Sequence, residues 1–167
     1  MSDTKTLFLV RHAKSSWKDA DIDDINRPLN KRGLRDAPKM GRHLAGFETK
    51  PDVIISSPAV RAFTTAKLIS HELDNESSKI KTEKRFYTFD SQSLLKAIQK
   101  INNKFQVVMV VGHNPAITVL VNQLTNSNIG NVPTCGVAIL GFPINGWKEI
   151  KNEKGELIEY FYPKKLW

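Results

Sequence analysis

The chain has no long apolar run. Its longest stretches are about five residues, as at 107–111, against the roughly 20 that a membrane-spanning helix needs. No membrane partner is expected. The first residues, Met1-Ser2-Asp3-Thr4-Lys5, carry an early acid and no apolar core of a secretory signal. Cysteine is nearly absent. Cys135 stands alone among 167 residues, so no internal disulfide forms, and a reducing, cytoplasmic setting is the simple reading. There is no GxxxxGK[ST] loop, which leaves a P-loop nucleotide site unsupported. Repeats, Pro-rich linkers and low-complexity tracts are missing too, so one domain spanning 1–167 is expected. The net charge is +8, yet the basic residues are scattered, without an arginine run or an arginine/aromatic repeat. A solvated surface with a local anion site is favoured over a nucleic-acid groove. The acidic cluster Asp19, Asp21, Asp23 and Asp24 lacks the glycine and closing glutamate of a calcium loop, and reads as an exposed loop.

What is present is a set of three short apolar runs with similar endings. Leu7-Phe8-Leu9-Val10 leads into Arg11-His12. Val53-Ile54-Ile55 leads into Ser56-Ser57-Pro58-Ala59-Val60-Arg61. The run 107–111 leads into Gly112-His113-Asn114-Pro115. If the runs are parallel strands, their carboxyl ends deliver two arginines and two histidines to one sheet edge, where open α/β sheets bind ligands.

Between the runs lie helical patterns. Leu34, Ala37, Met40, Leu44 and Phe47 predict a helix over about 30–45, with Asn30 as its cap. Ser57-Pro58 marks a helix start, followed by Ala62, Ala66, Ile69 and Leu73 at helical spacing. Asn114-Pro115 repeats that start ahead of Ile117, Leu120, Val121 and Leu124. A further helix is expected over about 91–102. Segments 136–142, 147–151 and 157–162 read as strands separated by turns. The expected fold class is α/β: a compact three-layer α/β/α sandwich with a mixed, mostly parallel central sheet.

A phosphate dianion needs strong donors, and arginine supplies a planar fork that binds two oxygens at once. Arg11 and Arg61 are placed for that, Arg61 in the first turn of a helix, where the dipole favours an anion. His113 offers a further donor, more so as imidazolium beside a phosphate. His12, if neutral, is a nucleophile able to split phosphoryl transfer into two steps. Taken singly, each residue has a plainer reading: a strand-end histidine as a hydrogen-bonded loop residue, an arginine as surface. The joint placement carries the phosphate site. A zinc site is disfavoured, because the two histidines have no cysteine or carboxylate at ligand spacing. His43 and His71 fall within helices and read as structural or surface residues. Cys135, at the start of a strand, reads as a small packed residue.

The motif Leu9-Val10-Arg11-His12-Ala13-Lys14-Ser15 resembles the signature of the histidine phosphatase superfamily, which includes phosphoglycerate mutases and acid phosphatases. Arg-His-Ala-Lys-Ser-Ser-Trp, with Arg27-Pro28-Leu29-Asn30-Lys31-Arg32-Gly33, Ser56-Ser57-Pro58-Ala59-Val60-Arg61-Ala62 and Val111-Gly112-His113-Asn114-Pro115, is similar to the SixA-like branch of bacterial phosphohistidine phosphatases. The likeness runs from about residue 6 to the C-terminus. It implies a phosphoglycerate mutase-like fold, His12 as the phosphorylated nucleophile, Arg11, Arg61 and His113 as phosphate-pocket residues, and no metal or organic cofactor. Larger relatives insert a lid carrying a carboxylic general acid. Here only 17 residues separate Leu73 from Ser91, so a lidless, open site is expected. Glu83 is the nearest candidate acid, with Asp90 behind it, although a surface role at a strand end is the weightier reading for both.

The lidless form has a chemical consequence. Dephosphorylating a histidine expels an imidazole, whose conjugate acid has a pKa of about 6.5, so it needs less help from a positioned acid than an alkoxide does. The leading expectation is a phosphatase acting on protein phosphohistidine, with a histidine phosphotransfer protein as partner. A phosphatase for a phosphorylated small molecule and a non-catalytic phosphate-dependent binding module are the alternatives. A mutase is disfavoured, because an open site admits water to the phosphoenzyme.

Overall fold

A computed structural model describes residues 4–73 and 79–167. A six-stranded sheet lies at its centre, in the order β3-β2-β4-β1-β5-β6. The strands are β1 (Lys5–Arg11), β2 (Val53–Ser56), β3 (Ile80–Thr82), β4 (Val107–Gly112), β5 (Val137–Phe142) and β6 (Glu156–Phe161). The pairs β1–β4, β4–β2 and β2–β3 are parallel, while β1–β5 and β5–β6 are antiparallel. The helices are α1 (Lys31–Ala45), α2 (Val60–Glu72), α3 (Ser91–Gln99), α4 (Ala116–Thr125) and the short α5 (Pro163–Leu166). The predicted three-layer α/β/α arrangement with a mixed sheet is the one observed.

Strand alternation explains the layers. Leu7 and Leu9 point to one face of the sheet and pack with Leu94 and Ile98 of α3 and with Leu120 and Leu124 of α4. Phe8 and Val10 point to the other, against Met40 and Leu44 of α1 and Ala66 and Ile69 of α2. Both faces are covered, so the central strands read as continuous apolar runs. Among the described residues no helix is long and apolar enough to cross a membrane.

Most element ends follow their local chemistry. The Asn30 carboxamide oxygen accepts from Gly33 N–H at 2.9 Å, capping α1 as expected. Asp90 caps α3 in the same way, accepting from Ser93 N–H at 2.9 Å. Segment 147–151 is a correction: it contains a 3-10 turn, Trp147–Glu149, and no strand. The buried Trp147 donates its backbone N–H to Asn103 and its indole N–H to the Phe105 carbonyl, and the Glu149 carboxylate takes the N–H of Gly146. These bonds hold a turn where a strand was expected. The antiparallel end of the sheet therefore has two strands. The described part of the connection from α2 to α3 consists of β3 and a 3-10 turn, Lys84–Phe86.

Candidate active site

The carboxyl ends of β1, β4 and β2 lie side by side. Arg11 pairs with Gly112, and Ser56 with Val111. His12 N–H donates to the Gly112 carbonyl at 3.1 Å, and Ser57 N–H to the Val111 carbonyl at 3.0 Å. This register brings His12 and His113 together, with ring centroids 5.4 Å apart. Arg61, in the first turn of α2, is 1% exposed. Arg11, His12, Arg61 and His113 all line one cleft of about 170 Å³. That is below the roughly 300–1,000 Å³ of sites that enclose a drug-sized ligand, and it suits a small anion.

The imidazole of His12 is oriented on two sides. Its Nδ1 lies 2.7 Å from the Ala13 carbonyl, an oxygen that only accepts, so Nδ1 carries the proton. Arg61 Nε–H lies 3.3 Å from Nε2, which must then present its lone pair. Burial pushes the His12 pKa down to about 3, against the bond to Ala13, and the cations Arg61, Arg11 and Arg27 push the same way. His12 is neutral near pH 7. His113 is also pushed to about 3, first by burial and then by the neighbouring His12 and Arg61. Its Nε2 lies 2.8 Å from Ser57 Oγ, while its Nδ1 is buried without a hydrogen-bond partner among the described residues. Two more buried nitrogens without an acceptor among the described residues are Nε of Arg11 and Nε of Arg27. Buried donors left unpaired are rare, and their clustering around one cleft fits an anion site.

Asp24 is the carboxylate of this cleft. It belongs to the cluster read from sequence as an exposed loop; that description fits Asp19, Asp21 and Asp23, and is incomplete for Asp24. Arg61 donates from Nη1 to the Asp24 carbonyl at 2.6 Å and from Nη2 to Oδ2 at 2.9 Å. Arg27 donates from Nη2 to Oδ1 at 2.9 Å, and the Tyr87 hydroxyl donates to Oδ2 at 2.6 Å. Partial burial works to raise the Asp24 pKa, but the bonds from Tyr87, Arg27 and Arg61 outweigh it and hold the carboxyl well below the usual range. Arg27 also donates to Ser15 Oγ and lies 3.8 Å from the Trp17 ring centroid.

Glu83 does not line the cleft. Its carboxylate pairs with Arg85 at 3.1 Å. Asp90 serves as the α3 cap. Both therefore take surface roles at element ends. His43 packs edge-on against Phe47 and Phe161, away from the cleft. Cys135 is buried, and its N–H donates to the carbonyls of Arg11 and His12 at 3.0 Å, supporting the loop that carries them. Gly33 lets that loop lie on α1: a Cβ there would stand 2.2 Å from the Lys14 carbonyl oxygen. Asp24 and Phe89 line the cleft, and Tyr87 bonds to Asp24, from segments that show no periodic signal, while Arg27 is legible only as part of a motif.

The family model of the histidine phosphatase superfamily (branch 1) matches residues 7–90. The chain belongs to this superfamily. An uncharacterised chloroplast protein of Arabidopsis thaliana is 31% identical over 157 residues, covering 89% of this chain and 71% of that one. A solved structure provisionally named phosphohistidine phosphatase SixA, from Agrobacterium tumefaciens, superposes with a TM-score of 0.80 at 25% identity, covering 95% of this chain and 98% of that one. The protein histidine phosphatase SixA complexed with tungstate shares the fold, with a TM-score of 0.79 at 22% identity over 97% of this chain and 99% of that one. Membership of the histidine phosphatase superfamily gives the chain phosphatase chemistry on a phosphorylated substrate.

Proposed function

We propose that this histidine phosphatase superfamily member removes the phosphoryl group from protein phosphohistidine through a covalent phospho-His12 intermediate. The observation that carries the mechanism is the orientation of His12. With Nδ1–H held by Ala13, the lone pair of Nε2 faces the Arg61 guanidinium. In the first step Nε2 attacks phosphorus. The other ring nitrogen of the substrate imidazole first takes a proton from solvent; the bond from phosphorus to the leaving nitrogen then breaks, and its electron pair stays on a neutral imidazole. In the second step water attacks phosphorus and the P–Nε2 bond breaks. The lone pair returns to His12, inorganic phosphate leaves, and the water's proton passes to phosphate or solvent. Arg11 and Arg61 bind the phosphoryl oxygens as charged donors and His113 as a neutral one, aimed where negative charge develops in the transition state.

The phosphohistidine substrate is supported by chemistry on the leaving-group side. Asp24 is the carboxylate that lines the cleft, and three hydrogen bonds keep it ionised. An imidazole leaves without a strong acid, whereas an alkoxide does not. Tungstate, a tetrahedral oxyanion like phosphate, is bound by the related SixA structure. Arg11, Arg61 and His113 are donors suited to an anion, with Nε2 of His12 kept free as nucleophile, and this reading calls for no metal. A cytoplasmic site of action agrees with the single, unpaired and buried Cys135.

Rapid-quench mass spectrometry after mixing with a phosphohistidine-bearing phosphotransfer protein tests this reading. One acid-labile phosphate on His12 is expected, with a kcat/KM well above that for a panel of phosphometabolites. Label on another residue overturns the mechanism. A higher kcat/KM for a metabolite overturns the substrate.

A further inference from the structure

Two exposed aromatic side chains flank the cleft, and the phosphoryl chemistry uses neither. Trp17 is 74% exposed and Phe89 is 46% exposed, yet both line the same cleft as His12. Single exposed apolar residues are ordinary on protein surfaces and need no explanation. These two differ in being anchored by groups of the site. The Arg27 guanidinium lies over the Trp17 ring, 3.8 Å from its centroid, which fixes the indole while leaving most of it exposed. Phe89 packs against the His113 ring at 5.2 Å and edge-on against Tyr87 at 5.6 Å. Tyr87 is itself tied through its hydroxyl to Asp24. The rings are therefore ordered without a ligand, and little entropy is lost when one docks on them.

Their position sets what they meet. The arginines and His113 converge on the phosphoryl group, so the remainder of a substrate projects toward the rim. A planar ring there meets π-faces, which favour offset or edge-to-face contact with another ring. We propose that Trp17 and Phe89 are specificity-determining residues that receive the leaving group, and that they select planar aromatic leaving groups, imidazole or aryl, over aliphatic ones of equal basicity. The proposal rests on the phospho-His12 reading. Selection by shape adds to selection by leaving-group pKa and is separable from it.

The experiment holds basicity constant. Phenyl phosphate is compared with a phosphate ester of a fluorinated aliphatic alcohol whose pKa matches phenol. The wild type is expected to favour the phenyl ester in kcat/KM. Trp17→Ala and Phe89→Leu should each lower that preference by roughly 2- to 12-fold, the worth of one aromatic contact. Phe89→Leu keeps apolar bulk without a π-face, and both variants are first checked for wild-type thermal unfolding. Hydrolysis of isolated phospho-His12, from which the leaving group has gone, should keep its wild-type rate in both. An unchanged preference in both variants, or an equal loss for both esters, overturns the proposal. Failure of the underlying reading looks different: the wild type then forms no phospho-His12 with either ester.

Discussion

Arg61 Nε–H meets Nε2 of His12 across 3.3 Å, with both side chains buried. One guanidinium thus touches the nucleophile while its two terminal nitrogens are bound to Asp24. Arg61 reads as both a phosphate ligand and a device that aims the lone pair of His12. A buried arginine with three of its nitrogens engaged has a fixed fork, which a flexible ammonium does not reproduce.

Arg61→Lys should therefore cost more than its conserved charge implies. A fall in kcat of roughly 10- to 1,000-fold is expected, by analogy with removal of one preorganised donor in an acyl-transfer site. Steady-state kinetics with an aryl phosphate check this. A kcat/KM near the wild-type value would mean that Arg61 acts as a point charge only.

Asp24 should behave as a positioning residue. Its carboxylate ties Arg61, Arg27 and Tyr87 together at 2.6–2.9 Å. Asp24→Asn keeps the size of the side chain and removes the charge that orients both guanidiniums. It also removes an anion from a cleft built for anions. We expect kcat to fall by about tenfold or more, since charge-assisted bonds are among the strong ones, while inorganic phosphate inhibits at least as well as before. Weakened phosphate inhibition together with unchanged kcat would reverse the assignment.

The parts of this site differ in how legible they were. Arg11, His12, Arg61 and His113 follow apolar runs directly or open the helix behind one, so strand-end logic finds them. Asp24 and Tyr87 are 63 positions apart and meet through a single hydrogen bond. No periodicity links them, and an aspartate among three other aspartates looks like solvated loop. The fold divides similarly. β1, β2 and β4 are buried on both faces and stand out as apolar runs. β3 has three residues, too few to show a period, and is held by pairing with β2. At 147–151 the apolar residues Trp147 and Ile150 stand three apart, which suits a turn better than a strand, and Asn103, distant in sequence, supplies the partner that turns the chain.

Stability should fall as the solution is acidified. His12 and His113 have folded-state pKa values of about 3 against about 6.5 when unfolded. Above pH 6.5 both states are neutral and neither residue contributes. Between about pH 6.5 and 3 the unfolded chain binds protons that the folded chain refuses, so ΔG of unfolding drops as pH drops. Each histidine adds a slope of up to about 1.4 kcal/mol per pH unit. Asp24, whose folded pKa is depressed, acts in the same direction at the acid end of that window. Urea unfolding at pH 7, 6, 5 and 4 measures the slope. The double variant His12→Asn/His113→Asn should be flatter than wild type. An equally steep double variant would place the acid sensitivity elsewhere.

Activity should survive removal of metals. Among the described residues no group of three or more His, Cys, Asp or Glu is placed to hold a metal ion. Asp24, the carboxylate of the cleft, is already committed to two arginines and a tyrosine. After extended EDTA treatment and gel filtration, kcat with an aryl phosphate should match that of untreated enzyme. A loss that zinc, magnesium or manganese restores would show that a cation joins the reaction.

The leaving group should control the rate. Asp24 is held ionised, and Glu83 is paired with Arg85 away from the cleft, so neither is placed to hand a proton to a departing oxygen. Negative charge then builds on the leaving atom in the transition state, and its own basicity sets the barrier. A series of substituted phenyl phosphates at one pH keeps ring shape constant while varying leaving-group pKa, so aromatic selection at Trp17 and Phe89 cancels along the series. A steep negative slope of log kcat/KM against that pKa is expected, with phosphoramidates faster than alkyl phosphates. A flat slope would reveal a working general acid. Asp24→Asn would then identify it by turning the flat slope steep, a change that a loss of positioning, which lowers every ester alike, does not produce.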